Sequence, residues 1–214
     1  MKKIIAVCLI FTGVMVMLYP KINQLYDSYL QNKMMNEWEN HAAAQSNHLE
    51  KNYKNLNDVF VSIGDNDKAT KQAAKNKGPK HQGIIGIIEI KKIDVKLPIL
   101  EGASLNNLSR AAGHLKGTAY PGEIGNSAIA AHRGYSYGRM FNRLNELKPS
   151  DQIIVRDKKK TFVYQVFESI IVRPDDLSIL KGNGKDRILT LITCEPVNTG
   201  THRLIIHAKL MRTF

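Results

Sequence analysis

The chain has 214 residues, of which 43% are hydrophobic and 23% are charged, a composition typical of a folded protein. This length suits one well-buried domain with an appendage and is too short for two ordinary domains. Thirty-one Lys and Arg against 19 Asp and Glu give a net charge of +12, which favours anionic surroundings such as phospholipid headgroups or wall polymers. The lysines are scattered rather than interleaved with aromatic residues, so we expect no specific nucleic-acid site.

The first twenty residues are predicted to anchor the chain in a membrane. Residues 4–19 are apolar and uncharged, Lys2 and Lys3 precede them, and Pro20 and Lys21 follow. This run is short for a spanning helix and also fits a signal-peptide core, but no small-residue cleavage site follows closely. We therefore expect an uncleaved signal anchor over residues 1–20, with the two lysines inside the cell and the remaining chain outside.

Two polar segments are predicted to separate this anchor from a folded domain. Residues 21–63 are rich in Asn, Lys, Glu, Ala and Leu and contain neither Gly nor Pro, which indicates a juxtamembrane helical stalk. Residues 64–83 contain almost no large apolar side chains and are predicted to be a linker. One domain then occupies residues 84–214.

After residue 83 the pattern changes to short β-rich runs separated by turn residues. Strands are predicted at residues 84–90, 93–100, 126–131, 153–156, 161–171, 188–194 and 203–210. Short helices are predicted at residues 105–111 and 139–147. In the second helix Met140, Phe141, Leu144 and Leu147 recur at helical spacing and are expected in the core. Seven or eight short strands with few helices predict a mainly β fold, either a closed barrel or a sandwich.

The only cysteine outside the apolar N-terminal segment is Cys194, at the end of the predicted strand 188–194. An exported domain with a single thiol cannot form an internal disulfide, so this thiol is either an inert core residue or a nucleophile. If strands 188–194 and 203–210 are antiparallel neighbours, Arg203 lies opposite Cys194. Its permanent charge can bind a developing oxyanion there.

A cysteine nucleophile also needs a base or a cationic neighbour, because a free thiol is only a few per cent ionised at neutral pH. His41, His48 and His81 belong to the predicted stalk or linker and are poor candidates. Four histidines lie in the predicted domain: His114, His132, His202 and His207. We favour His132, which follows the apolar run 128–131 where a strand gives way to a loop, and we place His114 second.

Three features of the domain resemble the sortases, which are membrane-anchored cysteine transpeptidases of Gram-positive bacteria. They are the segment TLITC ending at Cys194, the segment NSAIAAHRG containing His132, and the downstream Arg203. The resemblance covers residues 83–214 and includes the segment GHLKGTAYPGEIGN that leads into the histidine segment. Ala131 departs from the pattern, because glycine often precedes the histidine. No apolar span follows Met211, which speaks against the pilus-polymerising subgroup, and the arrangement resembles class D most, with class A next.

The resemblance implies a closed eight-stranded β-barrel and a two-step transpeptidation. Cys194 would attack the threonine carbonyl of an LPxTG-like sorting signal on a surface protein. Arg203 would stabilise the oxyanion, and His132 would protonate the leaving amine. An amine of a peptidoglycan precursor or cross-bridge would then resolve the thioacyl intermediate, with no cofactor required. The resemblance further implies a single-pass membrane protein whose catalytic domain is extracellular, with residues 172–186 shaping the pocket for the sorting signal.

Two other functions stay open at the level of the residues. An L,D-transpeptidase is also an exported, β-rich cysteine enzyme, but it needs an S-x-G-C segment close after its histidine, where this chain has Thr193 before Cys194. A basic module that docks on wall polymers, with Cys194 as packing, is supported by the charge. Asp175, Asp176 and Glu123 are not a convincing calcium ligand set, so we expect no metal site.

Overall fold

A computed structural model of the chain describes residues 22, 25–26, 28–34, 56, 59–60, 83–134, 140–197 and 199–214. The strands within these ranges are β1 (Ile84–Ile90), β2 (Val95–Glu101), β3 (Ala112–His114), β4 (Gly125–Ala130), β5 (Gln152–Arg156), β6 (Thr161–Val172), β7 (Arg187–Glu195) and β8 (His202–Thr213). The helical elements between them are α1 (Leu105–Leu108) and the 3-10 segments Lys91–Ile93, Leu144–Glu146 and Leu177–Leu180.

The eight strands close into a barrel in the order β1-β2-β3-β4-β7-β8-β6-β5. The pairs β2–β3 and β4–β7 are parallel and the others are antiparallel. The predicted mainly β, closed-barrel fold is confirmed. The crossover from β4 to β7 brings the strand that leads to residue 132 directly beside the strand that carries residue 194.

The structure differs from the prediction at several elements. β3 was not predicted, because it has only three residues and a central glycine. The helix predicted at 105–111 ends at Leu108, since β3 begins at Ala112. The helix predicted at 139–147 is wrong over its described residues: Met140 has a left-handed backbone (φ 49°), and only a 3-10 turn forms, at Leu144–Glu146.

Apolar side chains form one cluster inside the barrel and a second cluster on its outer surface. All eight strands contribute to the inner cluster, which also contains Met140, Phe141, Leu144 and Leu147. Those four residues were predicted to be core residues, and that prediction is confirmed. The outer cluster combines Ala128 and Ala130 of β4, Ile192 and Cys194 of β7, and Leu56 and Phe60 from the segment before the barrel. The predicted nucleophile therefore lies on the outer face of the sheet.

Most of the predicted N-terminal organisation lies outside the described residues. The anchor predicted at 1–20 is not described, the linker predicted at 64–83 is described only at Gly83, and the stalk predicted at 21–63 is described only in part. The described stalk residues are helical, and Met34 packs against Leu100 and Ala111 of the barrel. In the described part of the chain, no helix combines the length and the apolar content needed to cross a bilayer.

Candidate active site

Cys194 and Arg203 face each other across the last strand pair. The antiparallel register of β7 and β8 pairs Cys194 with Arg203 and Glu195 with His202, as the sequence predicted for the first pair. Both side chains are nearly buried: Cys194 is 7% exposed and Arg203 is 1% exposed. Cys194 is a free thiol within the outer apolar cluster. The strand pair thus places a permanent cation beside a shielded sulfur atom.

His132 lies at the level of Cys194 along the neighbouring strand. β4 runs parallel to β7, and the last pair of their ladder joins Ala130 to Ile192. The backbone N–H of Ala131 continues this ladder by donating to the carbonyl oxygen of Ile192 at 3.1 Å. Two residues further along each strand are His132 and Cys194. The register therefore places Arg203 opposite Cys194 on one neighbouring strand and His132 just past the end of the other.

The loop between β7 and β8 covers the thiol and holds the arginine. Gly200 passes so close that a Cβ atom at this residue would lie 3.5 Å from Cys194 Sγ. Nη1 of Arg203 donates to the carbonyl oxygens of Gly200 (2.7 Å) and His202 (2.9 Å). These contacts orient the guanidinium with the backbone of its own loop.

Phe60 covers the other side of the arginine. Its ring lies under the guanidinium of Arg203, with 5.0 Å between the ring centroid and Cζ, in a cation–π contact. Phe60 is 3% exposed and Leu56 is fully buried, and both belong to the apolar cluster that contains Cys194. A segment from the predicted stalk therefore packs over the candidate site.

Burial and charge act on the thiol in opposite directions. Burial raises the pKa of Cys194 above its usual value, because the thiolate loses contact with water. The guanidinium groups of Arg203 and Arg133 lower the pKa of the same thiol by favouring the anion, but burial dominates. In this closed arrangement the thiol form of Cys194 is favoured. Admitting water or a polar substrate would reduce the desolvation that keeps the proton on the sulfur and would lower the pKa of Cys194.

Arg133 connects the strand that carries the histidine to the strand that carries the cysteine. It is 6% exposed, and its Nη1 donates to the carbonyl oxygen of Cys194 at 3.1 Å and to the Glu195 carboxylate. Its Nη2 donates to Asn145 Oδ1 at 3.0 Å, and its Nε donates to the carbonyl oxygen of Asn142 at 3.3 Å. The sequence placed this arginine beside His132 but contained no sign of its contacts with residues more than sixty positions away.

The second-choice histidine, His114, lies on the wrong side of the sheet. β3 pairs it with Ile129, a residue of the inner cluster, whereas Ala130 and Cys194 face outward. Its Nδ1 lies 3.1 Å from Glu101 Oε2 and its Nε2 lies 2.9 Å from the carbonyl oxygen of Ala119. His114 is therefore a buried structural residue.

His207 and His202 also pair with residues other than Cys194. The β7–β8 register pairs His207 with Thr190 rather than with Cys194, and its Nδ1 lies 2.9 Å from Thr190 Oγ1. Burial lowers the pKa of His207. His202 is exposed and pairs with Glu195. The candidate site therefore consists of His132, Cys194 and Arg203, with Arg133, Glu195 and Phe60 around them.

The acidic residues weighed as calcium ligands have local partners. Asp176 Oδ1 accepts from the backbone N–H of Ser178 at 2.9 Å, and Glu123 Oε2 accepts from the backbone N–H of Tyr120 at 2.9 Å. Asp175 pairs with Arg173 at the surface. Among the described residues, no group of three or more His, Cys, Asp or Glu side chains is arranged to hold a metal ion.

Comparison with known proteins identifies relatives of this chain. A family model described as "Sortase domain" matches residues 88–211. Sortase D of Bacillus subtilis is 34% identical over 148 residues, which cover 66% of this chain and 73% of that protein. Sortase A of Bacillus anthracis is 30% identical over 188 residues, which cover 88% of this chain and 86% of that protein. A crystal structure of sortase E1 from Streptomyces coelicolor with a tripeptide in its active site has 33% identity and a TM-score of 0.57, and the match covers 62% of this chain and 90% of that one.

Proposed function

Because the chain belongs to the sortase family of cysteine transpeptidases of cell-wall sorting, we propose that Cys194, His132 and Arg203 perform its reaction on an LPxTG-like sorting signal. The observation that carries this proposal is the strand register, which pairs Cys194 with Arg203 and continues the β4–β7 ladder as far as Ala131, the residue before His132. Membership of this family argues against the two alternatives, an L,D-transpeptidase and a non-enzymatic module for docking on wall polymers.

In the first half-reaction the proton of Cys194 moves to His132, and the thiolate attacks the threonine carbonyl carbon of the sorting signal. The carbonyl oxygen becomes an oxyanion, which the guanidinium of Arg203 stabilises. When the C–N bond to the following residue breaks, His132 gives its proton to the leaving amine. The product is a thioester between Cys194 and the threonine of the surface protein.

In the second half-reaction an amine of a peptidoglycan precursor or cross-bridge attacks the thioester carbonyl carbon. His132 takes a proton from the attacking amine, the C–S bond breaks, and the proton returns to the sulfur of Cys194. One amide bond is broken and one is formed, so no nucleotide has to supply energy. The free energy of the first amide bond is held in the thioester between the two steps.

The test is a peptide cleavage and transfer assay with the full chain. Fluorogenic peptides carrying LPxTG-like signals are incubated with the protein and an amine acceptor. We expect Cys194→Ala to abolish turnover, and His132→Ala and Arg203→Ala each to reduce kcat/KM by about 100-fold or more. The control is Cys8→Ala, which removes the other cysteine of the chain and is expected to leave turnover unchanged. Retained turnover in Cys194→Ala would exclude the mechanism.

We also propose that residues 1–20 anchor the enzyme in the cell membrane as a single-pass segment, with the catalytic domain outside. The apolar run at residues 4–19 supports this, as does the described helix that follows it. Ile22, Leu25, Tyr26 and Tyr29 lie on one helical face and are 56%, 71%, 59% and 63% exposed. Apolar and tyrosine side chains at this spacing suit a membrane–water interface. In a liposome flotation assay the full chain is expected to float and a chain lacking residues 1–19 to remain largely in the soluble fraction.

A further inference from the structure

The ladder between β4 and β7 ends before it reaches the two reacting side chains. Its last contacts are the Ala131 N–H to Ile192 carbonyl bond and a bond from Thr193 Oγ1 to the carbonyl oxygen of Ala131, at 2.8 Å. His132 follows these contacts on one strand and Cys194 follows them on the other. Without a further connection, the two strand ends could separate at the level where a proton must be transferred.

Arg133 supplies that connection. It is the covalent neighbour of His132, and its Nη1 donates to the carbonyl oxygen of Cys194 at 3.1 Å and to the carboxylate of Glu195. The side chain is 6% exposed, so these contacts are shielded from water. Hydrogen bonds of Thr193 and Arg133 therefore join the two strands on either side of the level at which His132 and Cys194 lie.

The other contacts of Arg133 hold the guanidinium in one orientation. Its Nη2 donates to Asn145 Oδ1 at 3.0 Å, and its Nε donates to the carbonyl oxygen of Asn142 at 3.3 Å. All three nitrogen atoms of the planar group therefore donate to acceptors in the loop after β4 or at the end of β7. A lysine could supply the charge but could not reach these acceptors from a single rigid fork.

We infer that Arg133 and Glu195 form a positioning pair that holds His132 in proton-transfer geometry with Cys194 through both half-reactions. This inference rests on the proposed function, since it assigns a role only if His132 and Cys194 exchange a proton. The pair does not have to touch the substrate. Its effect is to keep two side chains aligned that come from positions more than sixty residues apart, and misplacement of reacting groups by about 1 Å can cost about 100-fold in rate.

The test compares Arg133→Lys, Arg133→Gln and Glu195→Gln with a matched control, Arg156→Lys. Arg156 makes an ion pair with Glu89 at 2.8 Å between β5 and β1 and contacts none of the candidate site residues. For each full-length variant we would measure kcat, KM, the pH dependence of Cys194 alkylation by iodoacetamide, and the melting temperature. The modified peptide is read by mass spectrometry, so that Cys8 does not contribute.

We expect Arg133→Lys to lower kcat about 10- to 100-fold with KM within about threefold of the parent, because the lost fork misaligns the proton transfer but leaves the peptide site intact. Glu195→Gln should lower kcat less, by about three- to tenfold, and Arg156→Lys should change neither constant. Arg133→Gln should also shift the alkylation profile of Cys194 to higher pH, whereas Arg133→Lys should shift it little. If Arg133→Gln does not fold, Glu195→Gln and Arg133→Lys carry the test.

A full kcat in both Arg133→Lys and Glu195→Gln would overturn the inference. So would a loss in either variant that appears only in KM or only as a lower melting temperature. Failure of the proposed function has a different signature: the parent protein itself would cleave no sorting-signal peptide. In that case an unchanged alkylation profile in Arg133→Gln would show that Arg133 does not act on Cys194 either.

Discussion

Replacing Phe60 by alanine should open the candidate site. In the structure the Phe60 ring is 3% exposed, packs in the same apolar cluster as Cys194, and lies 5.0 Å from the guanidinium carbon of Arg203. The thiol is 7% exposed, so we expect reagents in solution to reach it mainly when this covering segment has moved away. The alkylation rate of Cys194 then measures the equilibrium between the covered and the uncovered site.

The size of the effect follows from what the ring contributes. Full burial of a phenylalanine side chain is worth about 1.5–3 kcal/mol, and a shielded cation–π contact adds about 0.5–2 kcal/mol. Phe60→Ala therefore weakens the covered state by about 2–5 kcal/mol. At about 1.4 kcal/mol per tenfold, the alkylation rate of Cys194 should rise by at least about 30-fold, until the uncovered state predominates.

The assay follows iodoacetamide modification of Cys194 in the full chain by mass spectrometry, with rates compared at equal thiolate fraction from each variant's pH profile. Phe214→Ala is the matched control. Its ring also lies over an arginine, 5.7 Å from Cζ of Arg212, but it is 70% exposed and lies at the far end of β8. The control should alkylate at the parent rate. A rate for Phe60→Ala within twofold of the parent would show that this ring does not limit access to the thiol.

Three further outcomes follow from pKa shifts and packing. Because burial raises the pKa of Cys194, its alkylation rate should keep rising above the usual pH range for cysteine, and Arg203→Gln should move the midpoint higher; an unchanged midpoint would contradict the charge effect. Burial lowers the pKa of His207, so as the pH falls this histidine is protonated in the unfolded chain before it is protonated in the folded one. Stability should therefore fall as the pH drops below about 6.5. His207→Gln should flatten the dependence of melting temperature on pH between 7.5 and 5, and an equally steep loss would rule out this residue as the cause. At Gly122 the backbone is left-handed (φ 87°) and a Cβ atom would lie 2.2 Å from the Phe162 ring, so Gly122→Ala should destabilise the fold by about 2–4 kcal/mol in denaturant melts. A loss below about 0.5 kcal/mol would contradict the packing there.

Strand alternation and turn residues were enough to predict seven of the eight strands, whereas the choice of a closed barrel over a sandwich came from the family resemblance. β7 and β8 were predicted close to their observed ends, and the opposition of Cys194 and Arg203 followed from pairing two adjacent strands in sequence. The position of His132 relative to Cys194 was harder to predict, because β4 and β7 lie far apart in the chain and pair only through the parallel crossover. Its rim position and the family resemblance suggested the residue, whereas its level beside Cys194 comes from the register.

The features that sequence analysis missed depend on contacts between distant segments. Arg133 reads as an ordinary polar residue after a histidine, and its ties to Cys194 and Glu195 exist only once β4 and β7 are in register. Phe60 falls in the segment 21–63, which was predicted to be a helical stalk from its overall polar composition. Its burial depends on the outer apolar face of the sheet, which no local pattern reveals. The strand β3 was missed for a local reason: it contains too few residues to show any alternation of apolar and polar side chains.

The two arginines near the sulfur differ in what surrounds their charge, and this difference suggests separate tasks. Glu195 pairs with Arg133 and offsets its charge, so Arg133 acts mainly through geometry. Arg203 donates to the carbonyl oxygens of Gly200 and His202 and lies over the ring of Phe60, and these contacts orient the guanidinium. A substrate that displaces the Phe60 ring would uncover the sulfur and the cation together. Under the proposed mechanism, the departure of one side chain would therefore admit the carbonyl group, hydrate the thiol and free the face of the guanidinium that receives the oxyanion.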